Sequence, residues 1–193
     1  MPVPFSKEEQ LHISENLKRV AYQLVREKSI QKISVSELTE SVGISTGAFY
    51  KFYIPKEALF YLLLRESHEM VFGEAMEVLM ADDSVPAYKK LSGAIVAACE
   101  ALDNSGMKRF WLEDASLIMK KMNCVDMKEQ HEAENKILDI FFEKNGTLKV
   151  TIDEARHAVN ALIFNAYLRP SMGEQFRTIL EWMADGVCQH IFE

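Results

Sequence analysis

Hydrophobic residues recur along this chain at intervals of three and four, the spacing that lays an apolar stripe down one side of a helix. Ile13, Leu17, Val20, Ala21, Leu24 and Val25 form such a stripe. Phe5, Ser6 and Glu9 stand before it in the order of a capping box, so a first helix is predicted from there to about Lys28. Leu59, Leu62, Leu63 and Met70 predict a long helix from near Pro55 to about Met80, roughly 35 to 40 Å at 1.5 Å per residue. Asp82, Asp83, Ser84 and Pro86 break the pattern, and a fifth helix follows from Tyr88 to about Leu102, ended by Asn104-Ser105-Gly106. Met107 to Met122 reads as one kinked helix or two short ones. Asp126 with Glu129 starts another, which Asn145-Gly146 stops. Thr147 to Ile152 alternates like a strand, but nothing nearby offers a partner, and a loop is expected. Thr151 with Glu154 opens a helix to about Leu168, and Ser171 with Glu174, behind Pro170, opens the last, to about Ile191. The pattern predicts an all-α chain of nine or ten helices, without repeats, low-complexity tracts or flexible linkers.

The stretch between the first and the long helix is the most specific. Ile33, Ser34, Glu37 and Leu38 stand where a reciprocal capping box and a hydrophobic staple require them. Leu38 and Val42 share a face, and Gly43 follows where a helix ends in a left-handed residue. Ile44 and Ser45 then repeat the start signal, with Ile44 placed to staple onto Phe49, for a second helix to about Phe52. Helix, three-residue turn and helix make a known supersecondary unit, with Phe49 and Phe52 as its core aromatics.

Ser34, Gly43-Ile44-Ser45, Gly47-Ala48-Phe49-Tyr50 and Lys56-Glu57-Ala58-Leu59 together resemble the N-terminal reading domain of the TetR family of bacterial transcription regulators. The motif likeness covers about the first 65 residues, and helix number and length extend it over the rest. Two features depart from the family pattern: Ile54-Pro55 replaces a polar cap, with Pro55 suited to the first helical position, and the reading helix has no Arg for bidentate guanine contact. The resemblance implies a three-helix helix-turn-helix DNA-binding domain over residues 1–54 and a helical effector-binding and dimerisation domain over 55–193, bridged by the helix from about 55 to 80. It also implies which residues meet DNA. Thr46, Gly47 and Ala48 open the reading helix, with Tyr50 and Lys51 one turn on, placed for base edges. Ser34, Ser36, Ser45 and Tyr50 offer hydroxyls to phosphate oxygens. Lys56, in the first turn of its helix where a cation is disfavoured, would sit well against a docked phosphate.

Charge modifies this picture modestly. The whole chain carries −7, yet residues 1–67 hold nine basic and eight acidic residues, a balance of +1, while the remainder holds 13 and 21, a balance of −8. That asymmetry directs DNA to the N-terminal end. The longest apolar runs, Ala58 to Leu64 and Gly93 to Cys99, are seven residues each, against roughly 20 for a membrane span. MPVPFSKEEQ lacks a secretory h-region. Cys99, Cys124 and Cys188 are odd in number and fit no zinc spacing. A cytoplasmic protein without membrane contact is expected.

Catalytic signals are lacking. His131-Glu132-Ala133-Glu134-Asn135 fails the HExxH pattern at its last position, Cys188 with His190 has no further ligands nearby, and neither a phosphate loop nor a nucleophile elbow is present. Neither enzyme activity, metal nor cofactor is expected.

The C-terminal two thirds offers binding surfaces instead. Met107, Phe110, Trp111, Met119, Met122, Phe141 and Phe164 are flexible or aromatic groups suited to an adaptable apolar pocket, with Glu100 and Asn160 as polar orienting groups. The last two helices are apolar on more than one side: Met172, Phe176, Ile179, Leu180, Met183, Val187 and Ile191 form one broad stripe. The resemblance implies a homodimer through this pair, with Ala158, Ala161, Asn165, Leu168, Phe176, Ile179, Trp182 and Met183 in the interface. The function so implied is a repressor of transcription that binds a palindromic operator in double-stranded DNA and is released by a small apolar effector. Two alternatives compete with it: a DNA-binding regulator controlled by a protein partner and lacking a pocket, and a helical small-molecule-binding protein or enzyme that does not bind DNA.

Overall fold

The computed structural model describes residues 5–80, 84–122, 125–168 and 175–192. These carry ten α-helices: α1 (Lys7–Glu27), α2 (Val35–Glu40), α3 (Thr46–Phe49), α4 (Glu57–Leu79), α5 (Ala87–Ser105), α6 (Lys108–Glu113), α7 (Ala115–Met122), α8 (Val125–Lys144), α9 (Ile152–Leu168) and α10 (Phe176–Ile191), with a 3-10 turn at Ile30–Lys32. The chain is all-α, as its pattern requires. No described helix is long and apolar enough to cross a membrane.

Local chemistry sets most boundaries. Ser6 Oγ accepts the Glu9 N–H at 3.2 Å while the Glu9 carboxylate accepts the Ser6 N–H at 2.7 Å, so the α1 capping box is complete. Thr151 and Glu154 start α9 by the same exchange, at 3.2 and 2.8 Å. Gly106, at φ 70°, ends α5 in the left-handed region. Met107 to Met122 divides into two helices at Asp114.

Three expectations need correction, and one element is unannounced. The 3-10 turn after α1 carries no apolar period that would announce it. α3 ends at Phe49 and not near Phe52, because the N–H groups of Lys51 and Phe52 turn to carbonyls three residues back, at 3.0 and 2.9 Å. α4 begins at Glu57 rather than Pro55. The Ile54–Pro55 peptide is cis, and the carbonyls of Pro55 and Lys56 accept from Ala58 and Leu59. Finally, Leu148 does find a partner. It forms an isolated antiparallel bridge with Phe192, and the Lys149 N–H reaches the Ile191 carbonyl at 2.9 Å. The expected start of the last helix at Ser171 lies outside the described residues.

The chain divides into two compact units. The first comprises residues 1–66 and 109–124. Ile13, Leu17, Val20, Ala21 and Val25 of α1 are buried with Ile30, Ile33, Leu38, Phe49, Leu59, Phe60, Phe110 and Ile118. Each large side chain so covered contributes roughly 1.5–3 kcal/mol of transfer free energy. Ser14 and Tyr53 share a hydroxyl hydrogen bond of 2.8 Å, and Lys18 pairs with Glu66 at 2.8 Å.

The second unit comprises residues 67–108 and 125–193. Its core takes Leu91, Ile95 and Cys99 of α5, Phe141 and Phe142 of α8, Val159 and Leu162 of α9, and Leu180, Ala184 and Cys188 of α10. Phe192 packs on Phe141 and Phe142 with ring centroids 6.2 and 6.1 Å apart. Asp185 of α10 accepts from Lys89 and Ser92 of α5 at 2.5 and 2.6 Å, and Arg156 of α9 forks onto Asp139 of α8 at 3.0 and 3.3 Å.

Candidate nucleic-acid interface

Serine caps and a glycine turn build the local geometry of α2 and α3. Ser34 Oγ accepts the Glu37 N–H at 3.1 Å, which starts α2. The reciprocal half of the expected capping box is not made, because the Glu37 carboxylate pairs with Lys28 Nζ instead. A charged partner outcompetes a backbone amide for a carboxylate. After Glu40 the chain turns through Gly43 at φ 74°, and the Ile44 N–H returns to the Thr39 carbonyl at 3.1 Å. Ser45 Oγ then accepts the Ala48 N–H at 3.1 Å, starting α3.

Below the turn lies an aromatic floor. Phe49 is fully buried, Tyr53 nearly so, and their centroids are 5.7 Å apart. Tyr50 meets the edge of Phe49 at 5.5 Å and 88°, which fixes its ring while 46% of the residue stays exposed. Lys51 is exposed, with its ammonium 5.9 Å from the Phe5 ring centroid.

The residues expected at DNA thus take different places. Ser34, Ser36, Ser45, Thr46, Gly47, Tyr50 and Lys51 are all exposed. Ala48, 9% exposed, is turned largely into the core. Lys56 is half-buried, and its ammonium donates to the Ile30 and Ile33 carbonyls at 3.0 and 2.7 Å. Two of its three donors therefore close the 3-10 turn, a role no local signal announces. Lys32, exposed at the end of that turn, is a cation two residues before the Ser34 cap that no helical spacing singles out.

The residues suggested for an apolar pocket divide between the units. Phe110, Trp111, Met119 and Met122 fall in the first, and Glu100, Met107, Phe141, Asn160 and Phe164 in the second. Met107 and Phe110 are fully buried, Phe141 is nearly so, Trp111, Met122 and Asn160 are half-buried, and Met119 is 38% exposed. Glu100 pairs with Arg177 at 2.9 Å. Phe164 is 60% exposed.

Of the residues suggested for a dimer face, Phe176 is buried, Ala158 and Ile179 are half-buried, and Ala161 and Asn165 are exposed. Trp182 and Met183 are 71% and 45% exposed. The side chain of Leu168 lies outside the described residues. A groove of about 530 Å³ is lined by Val150, Glu154, Ala158, Gly186, Val187, His190 and Ile191.

No family model matches the chain. The HTH-type transcriptional repressor KstR2 of Mycolicibacterium smegmatis is 21% identical over 122 residues, 63% of this chain and 58% of that protein. The match thus spans less than two thirds of the curated relative's length. Among solved structures, the ketosteroid transcriptional regulator KstR2 of Mycobacterium tuberculosis superposes with a TM-score of 0.67 at 14% identity, over 93% of this chain and 95% of that one. A transcriptional regulator from Rhodococcus sp. Rha1 gives 0.60 at 17% identity over 92% and 95%. The TetR family repressor AlkX from Dietzia sp., implicated in biodegradation of n-alkanes, gives 0.53 at 15% identity over 93% and 97%. These likenesses run nearly end to end, and the chain has the fold of the TetR family of regulators.

Proposed function

We propose that this chain is a homodimeric DNA-binding regulator of transcription, a repressor that holds a palindromic operator and is released by a small apolar effector. The observation that carries this reading is the exposed polar edge of the turn: Ser45, Thr46, Gly47, Tyr50 and Lys51 stand in one short capped segment above a buried aromatic floor. Thr46 and Gly47 open the helix that reads base edges. Ser34, Ser36, Ser45, Tyr50 and Lys32 suit phosphate oxygens. Ala48 acts mainly as a packing residue that sets the height of the helix.

Residues 1–54 form the reading head in this proposal, and 55–193 the sensing and dimerising part. Ala161, Phe164 and Asn165 of α9, with Trp182 and Met183 of α10, supply the exposed surface for the second copy, and Phe164 joins that face rather than a pocket. Two of the similar structures carry names tied to ketosteroids and n-alkanes, which supports a hydrocarbon-rich effector. Turning the DNA-competent fraction from 99:1 to 1:99 requires about 5.5 kcal/mol of differential affinity, within reach of several apolar contacts in each of two protomers.

The test is selection of duplexes from a random pool by the purified full chain, followed by thermal shifts against a panel of apolar compounds. The expected result is one enriched palindrome and at least one compound that both stabilises the protein and lowers DNA affinity. A pool with no enriched sequence overturns the proposal. An enriched palindrome without any stabilising compound replaces the effector with a protein partner.

A further inference from the structure

Residues 109–124 belong to the first unit, although the chain on both sides of them, through Lys108 and from Val125, belongs to the second. α6 and α7 are therefore an excursion of the chain into the unit that holds the reading turn. At the break between the two helices stands Asp114, 1% exposed. A carboxylate so placed is costly to bury and persists only with good partners. Its partners are Ser29 and Ile30, in the segment that leads from α1 to α2: Asp114 Oδ1 accepts from Ser29 Oγ at 2.5 Å and Oδ2 accepts the Ile30 N–H at 3.3 Å. Arg109, five residues earlier, lies 3.9 Å from the same carboxylate and donates to the Val25 carbonyl in the last turn of α1. That carbonyl is one a helix leaves without an internal partner.

The opposite end of the same segment is held by Lys56, whose ammonium takes the Ile30 and Ile33 carbonyls at 3.0 and 2.7 Å. Ile33 directly precedes the Ser34 cap of α2. The five residues Ser29 to Ile33 are thus gripped at their N–H end by an acid from the α6–α7 break and at their carbonyl end by a lysine ahead of α4. A displacement of Asp114 withdraws acceptors from Ser29 and Ile30, and the segment that sets the entry of α2 loses its anchor.

We infer that Asp114 is a positioning residue for DNA reading: through Ser29 and Ile30 it ties the α6–α7 excursion to the start of the helix-turn-helix. The role rests on the regulator reading proposed above, and supplies it with a physical link between the reading turn and a segment whose flanking chain lies in the other unit. Linkage makes such a tie reciprocal: if the position of α6–α7 governs DNA affinity, DNA must in turn stabilise α6–α7.

Hydrogen exchange of the full chain, with and without the duplex enriched by the wild-type protein, tests this. Wild-type protein is expected to show slower exchange on DNA binding at Ile30 and also across Lys108 to Met122. In Asp114→Asn and Ser29→Ala the duplex is expected to bind roughly 3- to 30-fold more weakly, and at saturating DNA the slowing is lost across Lys108 to Met122 but kept in α3. Should Asp114→Asn fail to fold, Ser29→Ala carries the test, since it leaves the Ile30 contact in place. Exchange in α6–α7 that ignores DNA in the wild type, or is slowed equally in the variants, overturns the inference while leaving the regulator reading intact. Absence of any enriched duplex overturns both.

Discussion

Alanine at Gly43 and alanine at Gly47 separate what the turn needs in order to fold from what it needs in order to read. At Gly43 a Cβ would meet no atom within 4 Å, so sterics with neighbours contribute nothing; the backbone, at φ +74°, carries the whole effect. An L-residue held there costs roughly 1–2 kcal/mol. With about 2–4 °C per kcal/mol for a protein of this size, the midpoint of unfolding should fall by about 2–8 °C. At Gly47 the backbone is not left-handed, and the nearest atom to an added Cβ is Ser45 Oγ at 3.9 Å, an ordinary contact. Alanine is the better helix former by up to about 1 kcal/mol, so Gly47→Ala should leave the midpoint unchanged or raise it slightly. The residue is exposed at the second position of α3, however, and under the proposed reading a methyl there would have to fit between the helix and the groove floor. Forcing a methyl into a close-packed contact costs roughly 1–3 kcal/mol, about 5- to 150-fold in affinity. Circular dichroism melts and fluorescence anisotropy on the selected duplex measure the two effects. Gly47→Ala that binds DNA as tightly as wild type, or Gly43→Ala that melts no lower, refutes the reasoning.

Thr46→Ala should change which base is preferred at one position of each half-site, whereas Tyr50→Phe should weaken all duplexes alike; competition binding decides, and equal losses on every sequence for both would contradict the division of labour. Lys56→Met removes the ammonium from the Ile30 and Ile33 carbonyls, of which the first still accepts from the Ile33 N–H at 3.3 Å, and a loss of about 1–3 kcal/mol should appear in denaturant titrations even without DNA. Hydrogen bonds from Lys89 and then Ser92 hold the Asp185 carboxyl below the ordinary aspartate value, and a lowered carboxyl pKa stabilises the fold above the unfolded-state value of about 3.9 and loses that effect as pH falls through the folded-state value. Asp185→Asn should therefore melt below wild type at neutral pH and converge with it in strong acid; a constant gap would count against the pair. Burial, with a smaller effect from Asp185, pushes the Cys188 thiol up to about 12, so at about pH 8 its thiolate fraction falls on the order of a thousandfold below that of a free cysteine. Iodoacetamide mapping by mass spectrometry should find Cys188 unlabelled until the protein is unfolded.

What the sequence disclosed and what it concealed divide by chain separation. Ser6 with Glu9, Thr151 with Glu154, Ser34 and Ser45 as caps and Gly43 as the left-handed turn act over three or four residues, so each is legible where it stands. Glu37 had the right spacing for a reciprocal box, yet Lys28 nine residues earlier captured its carboxylate. Ser29 and Asp114 are 85 apart, Lys56 and its carbonyls 26 and 23, and Leu148 and Phe192 are 44 apart. No local pattern marks such partners. The exposed face of the turn is legible because amphipathic spacing places Phe49 inside; the burial of Ala48, expected at base edges beside Thr46 and Gly47, is not, because its small side chain gives the pattern little to sort.

The central claim is that two heads of a pair read two halves of one site, in major grooves about 34 Å apart. The most direct measurement is the mass of the complex formed with the selected palindrome, compared with that formed on a single half-site of equal length. Two chains on the full palindrome, with binding to the half-site weakened by orders of magnitude, is the predicted result. A single chain that binds the half-site as tightly as the whole would contradict it.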